Sequence, residues 1–212
     1  KKPTVVNNVE SLAAVAGIFK LGGKTFGKIG NGRSTGTKLI SLDGYFNNPG
    51  LYEVDMATPM DFIINEIGGG FNEDIKAIQV GGPLGGIVPL NMLHNLTLDF
   101  ETFDEEGFLL GHASFVCIPR AFSAVEYAKH LFAFTAHESC GKCFPCRLGS
   151  TRGKEMLHSA IKEDQKFSEE LMRDLLETME AGSLCALGGG LPLPIKNLLE
   201  HCAEEFAPLM EK

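Results

Sequence analysis

No apolar run in this 212-residue chain approaches the ~20 residues needed to cross a bilayer, so direct membrane insertion is not expected. The opening Lys1-Lys2-Pro3 leads into TVVNNVESLAAVAGIF, which has neither the apolar centre nor the small-residue cleavage site of a secretory leader. Basic residues are the minority: 19 Lys and Arg stand against 27 Asp and Glu, a net charge of −8. Nucleic-acid phosphates are bound by clustered Lys and Arg, so that class of partner is excluded. Six cysteines are too sparse for a disulfide scaffold. Internal repeats and low-complexity tracts are absent. These absences point to a cytoplasmic protein whose thiols are core residues or metal ligands. The first residue is not Met, which suggests a piece of a longer chain.

What is present falls into three stretches. Residues 1–34 hold one short helix, expected over Ser11–Leu21 and closed by Gly22-Gly23. Residues 35–118 are rich in strands. TKLISLDG and GLYEV are joined through Asn47-Asn48-Pro49-Gly50, which has hairpin chemistry. TPMDFIINEIGGG predicts a helix with Thr58 as N-cap and Pro59 at its first position. IKAIQVGG, NLTLDF and ASFVCI read as further strands. Hairpin, helix and more strands make an α+β unit resembling a ubiquitin-like β-grasp.

Over residues 119–212 the hydrophobic period becomes 3.6. SAVEYAKHLFAFTAH opens with Ser123 and Glu126 in capping-box spacing. A second helix is expected from near Cys146 to about Glu163. A third starts at Ser168, carries Leu171, Leu175 and Met179 at fourfold spacing, and closes at Gly182. A fourth begins at Pro194, with Ile195, Leu198, Leu199, Cys202 and Phe206 on one stripe. Four such helices imply a small bundle.

The densest chemistry is ESCGKCFPCR. It places Cys140, Cys143 and Cys146 two residues apart, between the first and second of these helices. Gly141 and Pro145 allow the loop to fold back, and the following helix aims its N-terminal amides at the thiols, favouring anionic sulfur. A fourth thiolate could come from Cys117, Cys185 or Cys202. Cys185 lies in GSLCALGGGLPLP, a Gly- and Pro-rich loop that an antiparallel bundle returns to the same end. Cys202 on its stripe and Cys117 in its strand read more simply as small buried hydrophobes. Zinc usually draws its ligands as two separated pairs. Three cysteines on one loop with a distant fourth suit a [4Fe–4S] cluster, whose irons can each take one ligand. Structural zinc and plain redox thiols are the alternatives. Gly81–Gly86, GGPLGG, lacks the Lys and Ser/Thr of a phosphate loop and reads as a structural turn. Ser139 has no base partner, and its hydroxyl is expected to bond within the cysteine loop. His137, close by, reads as a cap or supporting residue rather than a ligand.

ESCGKCFPCR followed by SLCALG resembles the cluster-binding part of a known family. Its members are the flavin-carrying, NADH-oxidising subunits of respiratory complex I, NAD-linked hydrogenases and formate dehydrogenases. KPTVVNNVESLA is similar to the close of that family's FMN/NADH domain, and IQVGGPLGG to a turn in its β-grasp (SLBB-like) domain. CRLGSTRGKEML and GSLCALGGGLPLPI look closest to formate dehydrogenase beta subunits. Gly111-His112-Ala113-Ser114 departs from the family's glycine-serine-glycine run. The resemblance implies a division into the tail of an FMN/NADH domain (1–34), a β-grasp domain (35–118) and a helical [4Fe–4S]-binding domain (119–212). It implies that Cys140, Cys143, Cys146 and Cys185 hold the cluster, and that Asn7, Asn8 and Leu187 approach FMN. NAD(P) and most FMN contacts would lie in an N-terminal domain of the same subunit. Its implied partners are a thioredoxin-like [2Fe–2S] subunit and a multi-cluster iron–sulfur subunit. The implied role is a relay of single electrons between FMN and partner clusters. The rival reading is a non-catalytic interaction module stapled by zinc or a cluster.

Overall fold

The computed structural model describes residues 2–211. Its first helix, α1 (Val9–Leu21), starts two residues earlier than expected because the Asn8 side chain caps it, accepting from the Glu10 amide at 2.8 Å. A short α2 (Gly23–Phe26) and a two-stranded ribbon, β1 (Gly30–Asn31) with β2 (Ser34–Thr35), follow.

The main sheet is mixed and has five strands. The expected hairpin is its first pair, β3 (Thr37–Leu42) and β4 (Gly50–Asp55), with Leu42 opposite Gly50. β5 (Ile75–Val80), β6 (Ile87–Pro89) and β7 (Ser114–Pro119) complete the order β4-β3-β7-β5-β6. The central pair β3–β7 is parallel and the other pairs are antiparallel. Ala113, in the stretch that departs from the glycine-rich pattern, is held at φ +60° with no exposed surface.

β5 is buried on both faces. Ile78 and Val80 enter the core between the sheet and residues 56–64, while Ala77 packs with the C-terminal helices. Ile75 joins Ile78 in the first core although strict alternation would put it on the other side. A register shift against β7 between Ile75 and Ala77 changes the phase of the strand. Lys76, at that shift, reaches the Phe122 carbonyl and the Glu205 carboxylate.

Two expectations for this stretch need correction. The helix after Thr58 has Pro59 as its N-cap residue and starts at Met60; the Thr58 hydroxyl donates instead to the Asp55 carbonyl at 2.7 Å. It runs as α3 (Met60–Phe62) and then widens into a π turn over Ile63–Ile67. NLTLDF is not a strand. Leu96 and Leu98 are buried, as its alternation implies, but the chain makes one bridge only, Thr97 to Pro59. Asp99 then turns it into α4 (Phe100–Glu105), its carboxylate accepting from the Thr102 amide at 2.7 Å.

The C-terminal half is helical: α5 (Ala124–Glu138), α6 (Phe144–Lys162), α7 (Glu169–Gly182), α8 (Ala186–Gly190), α9 (Pro192–His201) and α10 (Ala203–Phe206). Ser123 and Ser168 cap α5 and α7 through their hydroxyls. The buried face of α7 is Met172, Leu176 and Met179, and Leu171 is exposed; the stripe is turned by one residue from the expected one. The Gly- and Pro-rich stretch expected as a loop is mostly helix, since α8 starts directly after Cys185 and α9 at Pro192. Cys202 does not continue α9. It sits at the break before α10, half-buried.

Candidate metal centre

α5 ends at Glu138 and α6 begins at Phe144, so Cys140 and Cys143 lie in the link and Cys146 in the first turn of α6. Gly141 takes φ +76°, a left-handed turn that folds the link back. The Arg147 guanidinium closes it, donating to the Gly141 carbonyl at 3.1 Å and stacking over the exposed Phe144 ring at 4.8 Å. Cys143 is the N-cap residue of α6.

The sulfurs differ in surroundings. Cys140 is exposed, Cys143 half-buried and Cys146 buried. The Leu184 amide faces the Cys143 sulfur and holds its thiol below the ordinary range, with the Cys146 and Cys143 amides adding to the effect. Cys146 Sγ lies 3.4 Å from Ser139 Oγ, which also accepts from the Gly141 amide at 3.3 Å. The expectation that Ser139 bonds within the cysteine loop is met. His137 is exposed on the last turn of α5.

Cys185 comes to this place by two contacts of its neighbours. One is the Leu184 amide at Cys143. The other is Gly188: a Cβ there would lie 2.6 Å from Cys146 Cβ and 2.5 Å from Ser183 Oγ, so only glycine lets α8 lie this close to α6. Cys185 itself is exposed, at the N-cap position of α8. Leu84 of the GGPLGG turn rests near the end of α8, 3.6 Å from where a Cβ on Gly190 would stand.

The other candidates lie elsewhere. Cys117 is buried in the sheet core, and burial, then the Asp43 carboxylate, push its thiol far up. Cys202 lines a cleft with Lys76, Arg120 and His201, and burial pushes its thiol up as well. Asn7 and Asn8 are exposed at the start of α1, and Leu187 is half-buried in α8. Ser183 and Gly188 carry no motif of their own; only the approach of α8 to α6 marks them.

Among the described residues no three Cys, His, Asp or Glu side chains are gathered tightly enough to hold one metal ion. The donor chemistry therefore decides what the place suits. Soft sulfur donors, two converging backbone segments and a helix N-terminus fit an anionic thiolate-bound iron–sulfur group.

Residues 126–208 match the family model described as the NADH-ubiquinone oxidoreductase-F iron-sulfur binding region. The chain is 35% identical, over 97% of its length, to the NADP-reducing hydrogenase subunit HndC of Solidesulfovibrio fructosivorans, covering 42% of that protein. It is 32% identical, over 96% of its length, to the NADH-quinone oxidoreductase F subunit of Rickettsia bellii (strain OSU 85-389), covering 50%. The chain thus spans half or less of the length of these curated relatives. A crystal structure of an NAD+-reducing [NiFe]-hydrogenase in the H2-reduced state superposes with a TM-score of 0.86 at 28% identity, over 99% of this chain and 36% of that one. No helix among the described residues is long and apolar enough to cross a membrane. Residues 126–208 are thus similar to the NADH-ubiquinone oxidoreductase-F iron-sulfur binding region, within a chain similar along nearly its whole length to F subunits and to a hydrogenase HndC subunit.

Proposed function

We propose that this chain is the electron-transfer portion of an NAD(P)H-linked flavin and iron–sulfur oxidoreductase subunit, with Cys140, Cys143, Cys146 and Cys185 holding a [4Fe–4S] cluster. The observation that carries the reading is the approach of the Cys185 segment to the cysteine loop, through the Leu184 amide at Cys143 and Gly188 against Cys146. When bound, such a cluster supplies one-electron chemistry between a flavin that accepts electron pairs and further one-electron centres. The residues of this chain lower the Cys143 thiol through amides, close the loop through Arg147, and bury Cys146 away from water.

The boundaries 1–34, 35–118 and 119–212 belong to the same proposal. A parallel central pair flanked by antiparallel strands supports a β-grasp reading of the sheet, and packing of α5, α6, α7 and α9 supports a four-helix bundle. Val5, Val6, Val9, Leu12 and Phe19 are exposed on and before α1. An apolar face of that size wants a cover, which supports an FMN/NADH domain packed there from the same subunit. Asn7, Asn8 and Leu187 would then approach FMN. A thioredoxin-like [2Fe–2S] subunit and a multi-cluster subunit are the proposed partners. Formate as the ultimate electron source rests only on CRLGSTRGKEML and GSLCALGGGLPLPI.

Anaerobic purification tests the reading. About four irons and four acid-labile sulfides per chain, with a reducible EPR signal, are expected. One zinc per chain without sulfide would overturn it in favour of a structural staple.

A further inference from the structure

Buried polar atoms nearly always find a hydrogen-bond partner. Among the described residues two buried side-chain polar atoms do not, Thr135 Oγ1 and Ser183 Oγ. Ser183 ends α7, and its backbone amide is satisfied by the Met179 carbonyl. Its hydroxyl crowds the same point beside Gly188 as Cys146 Cβ does. The oxygen thus stands without a partner near the side chain of a buried cysteine, one of two such atoms among the described residues. Ser139 Oγ is 3.4 Å from the Cys146 sulfur. Two hydroxyls thus stand near the Cys146 side chain, and of the two only that of Ser139 has a partner within the chain.

We propose that Ser183 is a positioning residue of the metal centre, its hydroxyl donating a hydrogen bond to cluster sulfur, either Cys146 Sγ or a sulfide held beside it. This rests on the assignment of Cys146 as a ligand. A donor to sulfur draws electron density from the iron–thiolate bonds and stabilises the reduced state, so it raises the reduction potential. Without the cluster, the same hydroxyl is an unpaired buried group and destabilises the fold. Ser183 therefore opposes stability when the centre is empty and supports the reduced centre when it is loaded. A hydroxyl with a purely structural role would do neither.

The test uses the full chain, loaded and after removal of iron with a chelator. Iron and sulfide content of the unaltered protein first decides whether a cluster is bound at all, independently of Ser183. In Ser183→Ala, the midpoint potential from an EPR-monitored titration is expected to fall. A strongly coupled exchangeable deuteron, seen by ENDOR in D2O, is expected to vanish. The melting temperature of the iron-free protein is expected to hold or rise. Ser183→Thr, which keeps the hydroxyl, is expected to keep the potential and the deuteron. If Ser183→Ala loses the cluster while Ser183→Thr keeps it, the hydroxyl again acts on the centre. An unchanged potential and deuteron coupling in Ser183→Ala would overturn the proposal. So would a lower melting temperature of its iron-free form, or equal loss of the cluster in both variants.

Discussion

Tyr127 on α5 donates its phenolic hydrogen to Gln79 Oε1 on β5 at 2.6 Å, fastening the helices to the sheet through a polar contact in an apolar seam. Gln79 is buried, and its amide is already engaged with the Pro83 carbonyl at 3.0 Å. Tyr127→Phe leaves Gln79 Oε1 unpaired and is expected to cost about 1–3 kcal/mol. Burial, then the Asp43 carboxylate, push the Tyr127 phenol up to about 12. A phenol ionises near ~10 in the unfolded chain. Its contribution is thus complete below that pH and lost progressively as the pH climbs towards the folded value. Denaturant melts across that alkaline window should fall steeply in the parent protein and more gently in Tyr127→Phe. Parallel curves would show that Tyr127 does not titrate with folding.

Cys185→Ser and Cys202→Ser form a matched pair. Cys185 lies between Leu184 and Gly188, both of which approach the cysteine loop, whereas Cys202 lies at the α9–α10 break against the helical core. The first substitution is expected to leave the cluster lost, degraded to a three-iron form or held by a poorer oxygen ligand, visible by EPR. The second should keep iron and sulfide and lower stability by about 1–3 kcal/mol if its hydroxyl finds no partner. The reverse pattern would move the fourth ligand to Cys202.

Gly188→Ala tests the seam between α8 and α6 directly. The new methyl would stand 2.6 Å from Cys146 Cβ and 2.5 Å from Ser183 Oγ, too close unless one helix shifts. Overpacking of this kind costs about 1–3 kcal/mol. Iron content should fall with stability, because the same shift draws Cys185 from the loop. Full iron occupancy with an unchanged melting temperature would mean that the seam is softer than its geometry implies.

The chain alone is expected not to reduce dyes with NADH, since it spans half or less of its relatives and its α1 face is open. Sustained NADH-dependent dye reduction by the purified chain would reveal a nucleotide site within these 212 residues.

Much of this architecture is legible in local pattern. The β3–β4 hairpin follows from Asn47–Gly50, and the caps at Ser123 and Ser168 follow from their spacing to the next apolar run. What the pattern hides is tertiary. Leu96 and Leu98 alternate as strand residues do, yet the chain turns at Asp99 into α4. Leu171 keeps fourfold spacing with Leu175, but the face that meets the core is set by Met172 and Leu176. Three glycines and two prolines after Cys185 read as loop because propensity counts each against a helix. Gly188 is helical because close approach to Cys146 favours the smallest residue, and Pro192 because it stands at a helix start. The position of Ser183 beside Cys146 has no trace in spacing at all.

The contact of α8 with Cys146 also sets an order of events during synthesis. About 40 residues, most of α6 and all of α7, separate Cys146 from Cys185. At roughly 5–20 residues per second, the loop thiols leave the ribosome about 2–8 seconds before Cys185. Through that interval the three loop thiols meet the cell without the segment that packs on them, and without the Leu184 amide that lowers the Cys143 thiol. On the proposed ligand set, assembly of the centre is a late event, completed from the C-terminal side once α8 docks.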